Sequence, residues 1–292
     1  MPTILDGKAT QMRIREELTI EISELKEKGI CPGLGIIQVG ARKDSSTYIR
    51  MKERACRELG MFFMLVPHSE DVSNTHLINS INMLNENKDI HGIIVQLPLP
   101  NHLDEAEILR AVSKSKDVDG FHPENMGRLA LNRLDECMAP CTPSGCIELL
   151  DRYDINLSGK HVVVLGRSNI VGLPMALLAL HRNATVTICH SKTENIKEIT
   201  KKADVLVCAC GRREMVDGSW IKEGCVIIDV GINAVDDSSK KSGYRLVGDV
   251  NYTDVLDKVS AITPVPGGVG PMTIGMLLIH TVLACKNLTN LE

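Results

Sequence analysis

The stretch His161-Val-Val-Val-Leu-Gly166-Arg-Ser-Asn-Ile-Val-Gly172-Leu-Pro174 constrains the fold more than any other part of the chain. An apolar run leads directly into a glycine-punctuated turn and then a helical pattern, the strand–turn–helix in which a dinucleotide pyrophosphate is held. Gly166 supplies the tight turn and close backbone approach, and Gly172 the close packing of the helix. The helix start offers free N–H groups and the positive end of its dipole to phosphate. Arg167-Ser168 stand where the usual middle glycine would be, so the fingerprint is only partly matched.

The next strand selects between cofactors. An NAD-binding fold carries an Asp or Glu about 20 residues after the glycines to hold the ribose hydroxyls, whereas a 2′-phosphate needs donors and cations. Here Ala184-Thr-Val-Thr-Ile188 ends in Cys189-His190-Ser191-Lys192-Thr193, with no carboxylate before Glu194. This predicts NADP over NAD, with Arg167, Ser191 and Lys192 near the 2′-phosphate. The alternative is a polar strand end that merely caps a helix starting near Thr193.

The rest of the chain alternates in the same way. Helical patterns from about Thr10 to Lys28, Ser45 to Leu59 and Asn74 to Leu84 are interleaved with apolar strands at Gly33–Val39, Met61–Val66 and Ile90–Leu97. Strict rotation of strands and helices implies parallel sheets with helices on both faces. The prolines around Cys137-Met-Ala-Pro-Cys-Thr-Pro143 mark a junction, after which a helix from about Ser144 leads into the dinucleotide unit and strands near Ala184, Val205, Val226 and Val247, reaching Ile262. A last apolar helix over Thr273–Cys285 can return to the first domain and make it discontinuous. The expected class is α/β: two domains, each with a mostly parallel sheet and flanking helices, the second a Rossmann-type NADP-binding domain. The expected boundaries are 1–139, completed by 272–292, and 140–271.

At 292 residues there is room for two cores. With 33 basic and 37 acidic residues, the net charge of −4 gives no broad attraction to nucleic acid or an anionic membrane. An anionic ligand must therefore be met by a local basic site. The ten cysteines are scattered without a CxxC repeat, which argues against a metal site and for reduced thiols in a cytoplasmic protein. No apolar core of signal-peptide length follows Met1, and Gly275–Cys285, interrupted by His280, falls short of the roughly 20 residues of a membrane span.

Candidate chemistry lies in the helix after Gly40. Tyr48, Ile49, Lys52, Cys56 and Leu59 share one face, with Arg50, Glu53, Arg54, Arg57 and Glu58 on the other. Lys52 is thus a cation in an apolar stripe, with Tyr48 one turn earlier. A lysine withdrawn from water titrates nearer neutrality and can act as acid or base; the alternative is a lysine snorkelling to solvent. Gln96 ends a buried strand where open α/β sheets bind ligands, or is a rim glutamine. Asp119, in Lys116-Asp-Val-Asp-Gly120, is read from sequence as a turn residue before glycine or as a site carboxylate. In Thr263-Pro-Val-Pro-Gly-Gly-Val-Gly-Pro-Met-Thr273 the prolines fix direction and the glycines leave backbone amides open to a ligand, unless the run is only a tight connection.

Together the blocks Tyr48–Lys52, Val95–Pro100, Lys116–Phe121, Pro140–Pro143, Gly166–Gly172, Ile228–Asn233 and Pro264–Thr273, in this order, resemble the bifunctional methylenetetrahydrofolate dehydrogenase/cyclohydrolases over nearly the whole chain. The resemblance implies a homodimeric enzyme of reduced folates, using NADP, with both activities in the cleft between its domains. It implies that Lys52 is the cyclohydrolase catalytic lysine, Gln96 its hydrogen-bonding partner, Tyr48 the ring that stacks on folate and Asp119 the pterin anchor. Arg167, Ser168 and Ser191 would meet the NADP phosphates. Thr142, Gly166, Ile232, Pro264, Gly267, Gly268 and Gly270 would line cofactor and folate. Arg213 departs from the family pattern, which more often has proline there. Rival readings are a relative that has lost the hydrolase step or uses NAD, and a non-catalytic dinucleotide-binding regulator in which Lys52 is structural.

Overall fold

Gly92 has no room for a side chain: a Cβ there would meet Val118 on one side and Thr281 on the other. A helix therefore lies directly on a strand at this point, and the contact joins two segments far apart in sequence. The computed structural model describes residues 1–240 and 243–290. In chain order its elements begin β1 (Thr3–Ile4), α1 (Gly7–Glu27), β2 (Gly33–Val39), α2 (Lys43–Glu58), β3 (Phe62–His68), α3 (Asn74–Glu86), β4 (Gly92–Val95), α4 (Glu105–Ala111) and α5 (Pro123–Ala130). They continue with α6 (Cys141–Arg152), β5 (His161–Leu165), α7 (Gly172–His181), β6 (Thr185–Cys189), α8 (Ile196–Thr200), β7 (Val205–Cys208), β8 (Val226–Asp229), β9 (Asn233–Asp236), β10 (Tyr244–Val247), α9 (Tyr252–Val255), β11 (Ala261–Ile262) and α10 (Val269–Leu288).

The chain divides into two units, one of Met1–Met12 with Thr142–Thr273 and one of Arg13–Cys141 with Ile274–Glu292. In the second, strands β3-β2-β4 form a parallel sheet, and Ile37, Leu77, Ile81, Leu84, Ile90 and Ile108 build a core in which each is fully buried. Each such side chain contributes about 1.5–3 kcal/mol relative to exposure. In the first, six strands run in the order β1-β11-β8-β7-β5-β6, parallel throughout, over a core containing Val163, Leu206, Trp220 and Ile227. β9 and β10 form a separate antiparallel pair.

Three details differ from the sequence expectation. The first twelve residues group with the dinucleotide unit rather than with 13–139, because Thr3–Ile4 pair in parallel with Ala261–Ile262; a two-residue strand carries no periodicity to announce it. The strand expected near Val247 is β10, but it pairs antiparallel with β9 outside the parallel sheet, and β9 itself is short, with no alternation to mark it. The last helix starts at Val269, inside the Gly-Pro run, since Pro271 falls in its first turn, where a missing N–H costs nothing. That makes α10 twenty residues, long and apolar enough to cross a bilayer by length and composition alone. It is nonetheless largely buried inside the protein, with Leu277, Leu278, Val282, Ala284 and Cys285 at or below 1% exposure.

Candidate active site

In the unit of residues 13–141 and 274–292, α2 turns its apolar stripe inward: Ile49, Ala55, Cys56 and Leu59 are buried, and Arg50, Arg54 and Arg57 are exposed. Lys52 lies in that stripe at only 8% exposure. Its Nζ donates to Gln96 Oε1 at 3.2 Å. The amide is fixed from its other end, because Gln96 Nε2 donates to the Leu97 carbonyl at 3.0 Å and the Gln96 backbone N–H to Ile37 at 2.9 Å. An ammonium has only donors, so the oxygen must face it. Tyr48, one helical turn earlier, is partly exposed.

Asp119 belongs to the same cluster. It remains partly accessible, yet the surrounding protein desolvates it enough to push its carboxyl above the usual range, opposed by the charge of Lys52, a hydrogen bond with Cys141 and the charge of His280. Its neighbours hold the loop. Lys116 Nζ donates to the carbonyls of Asn85 and Asn87, each at 2.8 Å, closing the end of α3. Asp117 accepts from the His122 N–H at 2.7 Å and from Asn125 Nδ2 at 2.8 Å. Of the three charged residues in Lys116-Asp-Val-Asp-Gly120, Lys116 is spent on the end of α3 and Asp117 on the turn, and Asp119 is left to the charge of Lys52.

Sequence reasoning passed over two side chains beneath Asp119. His280 Nδ1 meets the Val118 carbonyl at 3.0 Å, and Cys141 Sγ, whose one proton is shared between Asp119 and this oxygen, stands 3.1 Å from it. A carbonyl only accepts, so Nδ1 carries the proton, and desolvation holds the ring below its ordinary pKa despite Val118 and Asp119. Burial keeps Cys141 a thiol, raised well above its usual value. The signal for His280 was present as the one basic side chain within Gly275–Cys285.

The other unit builds a cavity of about 420 Å³ at the carboxyl ends of β5, β6 and β7. Gly166 stands at φ +121°, and a Cβ there would strike the Ala209 carbonyl. A Cβ on Gly172 would strike the Gly166 carbonyl, which is the close approach of helix to strand that the motif predicts. Ser168 Oγ accepts from the N–H groups of Val171 and Gly172 at 3.2 and 3.3 Å, so its own O–H is left to donate outward. Arg167, Ser168, His190, Ser191, Thr193 and Arg212 rim the cavity over a floor that includes Ile196, Met215 and Trp220, and among the described residues its wall holds no carboxylate. These residues suit a nucleotide carrying an extra phosphate.

Lys192 is not among the wall residues. Nor does the strand end cap a helix, as the alternative reading held: Thr193 closes a turn on His190 through its N–H and Oγ1, and α8 starts later at Ile196. Ile232 is 46% exposed, with its Cδ1 about 4.0 Å from where a Cβ on Gly270 would stand. Thr142 and Thr273 share a hydroxyl hydrogen bond of 3.0 Å. The glycine run is less open than expected. Gly268 N–H donates to Pro264 at 2.8 Å, and the Gly267 carbonyl accepts from Lys8 at 3.0 Å. Gly267, at φ +113°, lets the chain turn back on Pro264 to make these bonds.

Two acids behind the cavity were also missed. Asp229, at the end of β8, accepts from the N–H groups of Gly231, Asp249 and Val250 at 2.9–3.0 Å. Asp249 accepts from Cys210 and Gly211 N–H at 2.8 and 2.9 Å. Each carboxylate occupies the space a Cβ would need on a glycine of the other's loop, Asp229 against Gly248 and Asp249 against Gly231.

Comparison with known proteins finds one family over both halves of the chain. Residues 5–119 match the catalytic-domain model and residues 140–289 the NAD(P)-binding-domain model of the tetrahydrofolate dehydrogenase/cyclohydrolases. The chain is 54% identical over 290 residues to the chloroplastic bifunctional protein FolD 4 of Arabidopsis thaliana, covering 99% of this chain and 81% of that protein. The crystal structure of the bifunctional FolD enzyme from Campylobacter jejuni, 45% identical, superposes with a TM-score of 0.94 over 99% of this chain and 100% of that one. The FolD of Trypanosoma brucei, solved with NADP cofactor and an inhibitor, is 42% identical with a TM-score of 0.95 over 99% and 98% of the two chains. The chain belongs to the tetrahydrofolate dehydrogenase/cyclohydrolase family.

Proposed function

We propose that this chain oxidises 5,10-methylenetetrahydrofolate with NADP and hydrolyses the resulting methenyl cation to 10-formyltetrahydrofolate, with Lys52 carrying the second step. The observation that carries the assignment is a lysine at 8% exposure held by a single oriented amide, Gln96, beside a desolvated carboxyl. A lysine with no function at this position would snorkel its head to water.

The two steps make different demands. In the methylene substrate the reacting carbon lies between two nitrogens whose lone pairs stabilise the cation left when hydride departs, so oxidation asks the protein for orientation rather than for an acid or base. NADP, when bound, supplies the hydride acceptor. The rim of Gly166, Arg167, Ser168 and Ser191 suits its phosphates, and Thr142, Ile232, Pro264, Gly267, Gly268 and Gly270 are its proposed lining. Hydrolysis asks for more: water must lose a proton as it attacks the same carbon, and a ring nitrogen must gain one as its bond breaks. Lys52 Nζ moves that proton, and Gln96 Oε1 fixes the direction in which Nζ points. Tyr48 stacks on the folate rings. Asp119 anchors the pterin, whose N–H groups compensate the carboxylate for the water it has lost.

The free cysteines support a reducing compartment as the place of action: Cys56, Cys141, Cys146, Cys189, Cys208, Cys225 and Cys285 are buried as thiols. The decisive experiment supplies methylenetetrahydrofolate with NADP or NAD and follows reduced nicotinamide and methenyl product separately. The expected result is NADP-dependent oxidation followed by decay of the methenyl product. Oxidation without hydrolysis removes the second half of the assignment, and equal turnover with NAD removes the cofactor choice.

A further inference from the structure

We infer that Arg212 is a specificity-determining residue for the cofactor's 2′-phosphate, the second cation of that subsite beside Arg167. The inference rests on the NADP reading above. Six arginines lie in this unit. Arg152, Arg182 and Arg245 are each committed to a carboxylate, Glu148, Asp151 and Asp237 respectively. Arg167, Arg212 and Arg213 make no ion pair among the described residues. Two of these three reach one cavity from different strand ends, Arg167 after β5 and Arg212 after β7, and among the described residues no carboxylate lies on the wall they share. Unpaired like charges brought to one apolar-floored cavity repel each other, and an anion bound there relieves that repulsion.

The loop that presents Arg212 is fixed although its side chain is exposed. Asp249, with no exposed surface, takes the N–H groups of Cys210 and Gly211 and the Cys210 thiol on one oxygen. Burial first, and then Asp249, push that thiol up to about 12, so it stays protonated and donates. Gly211 adopts φ +64°, turning the chain so that Arg212 follows immediately on the clamped pair. The next carbonyl bond, from Met215 N–H to Arg212 at 3.3 Å, closes the turn. A guanidinium on a fixed backbone loses less entropy on meeting phosphate than one on a mobile loop. Truncating so exposed a side chain leaves this clamp intact.

The test is equilibrium calorimetry on the full chain, titrating NADP, NAD, 2′,5′-ADP and 5′-AMP into the unaltered protein, Arg212→Ala and Arg213→Ala. Losing one charge-assisted contact to phosphate weakens NADP and 2′,5′-ADP about tenfold in Arg212→Ala and leaves NAD and 5′-AMP within about twofold. Arg213→Ala, which removes the same charge outside the cavity wall, stays within about twofold for all four. Added salt weakens NADP binding less steeply in Arg212→Ala than in the unaltered protein. Unchanged NADP binding, an equal loss for NADP and NAD, or an equal loss in Arg213→Ala overturns the inference. If the unaltered protein binds NAD as tightly as NADP, it is the cofactor reading itself that fails.

Discussion

Replacing Lys52 with Met separates the two reactions. The side chain lies in a stripe with Ile49, Ala55 and Cys56, all at or below 3% exposure, so an unbranched apolar chain of similar length fills its place. The one hydrogen bond lost is the 3.2 Å contact to Gln96, whose side chain is partly exposed and can turn to water. The net structural cost is therefore about 1 kcal/mol or less, and Tm moves by no more than about 4 °C. Removing a positioned proton carrier costs about 10²–10⁴ in rate. Cyclohydrolase falls by that factor, while the oxidation, which needs only orientation, stays within about tenfold. The assay follows decay of methenyltetrahydrofolate without cofactor, and separately the appearance of reduced nicotinamide from methylenetetrahydrofolate. A folded variant that hydrolyses at the normal rate refutes the assignment. Equal loss of both activities makes Lys52 a binding residue instead.

Two further perturbations read the nucleotide unit. In Gly172→Ala the new methyl meets the backbone of Gly166 and Arg167, which cannot swing aside as a flexible side chain would; overpacking of about 1–3 kcal/mol lowers Tm by roughly 3–10 °C, and an unchanged melting curve removes the close approach on which the motif reading depends. Asp229 is pushed from 3.8 up to about 6, chiefly by burial. The folded protein therefore holds this proton more tightly than the unfolded chain, so the group's contribution to stability is full below about 4, falls as pH rises towards about 6 and is flat above. Denaturant titrations of the unaltered protein and Asp229→Asn between these pH values check the slope, and a contribution from Asp229 that rises with pH contradicts the burial.

Much of the fold was legible because its elements differ in period. β2 and β5 are largely apolar strands, and Gly33–Val39 and His161–Leu165 begin where the pattern places them. The helices of the first half carry clean two-faced spacing. What escaped was structure without a period of its own. Thr3–Ile4 become a strand only because Ala261–Ile262 offer an edge. The early start of α10 was hidden by prolines and glycines that read as a loop, although a helix tolerates proline in its first turn.

The candidate site divides in the same way, by whether a residue's role is local. Lys52 could be found from one helix, because a cation at an apolar position is anomalous on that helix's own terms. Ser191 could be found from the end of one strand, since what matters there is a missing acid. Asp119 gave no such sign. Its sequence, an acid before a glycine, describes a turn equally well, and the turn is real, but Asp117 makes it and Lys116 ties it to α3. Only with Lys52 brought beside it, and with His280 and Cys141 converging on the Val118 carbonyl beneath, does Asp119 become a carboxyl deprived of water rather than a solvated loop residue. Asp229 and Asp249 escaped for the same reason. Each holds the backbone of the other's loop, so neither has a local pattern from which its partner could be read.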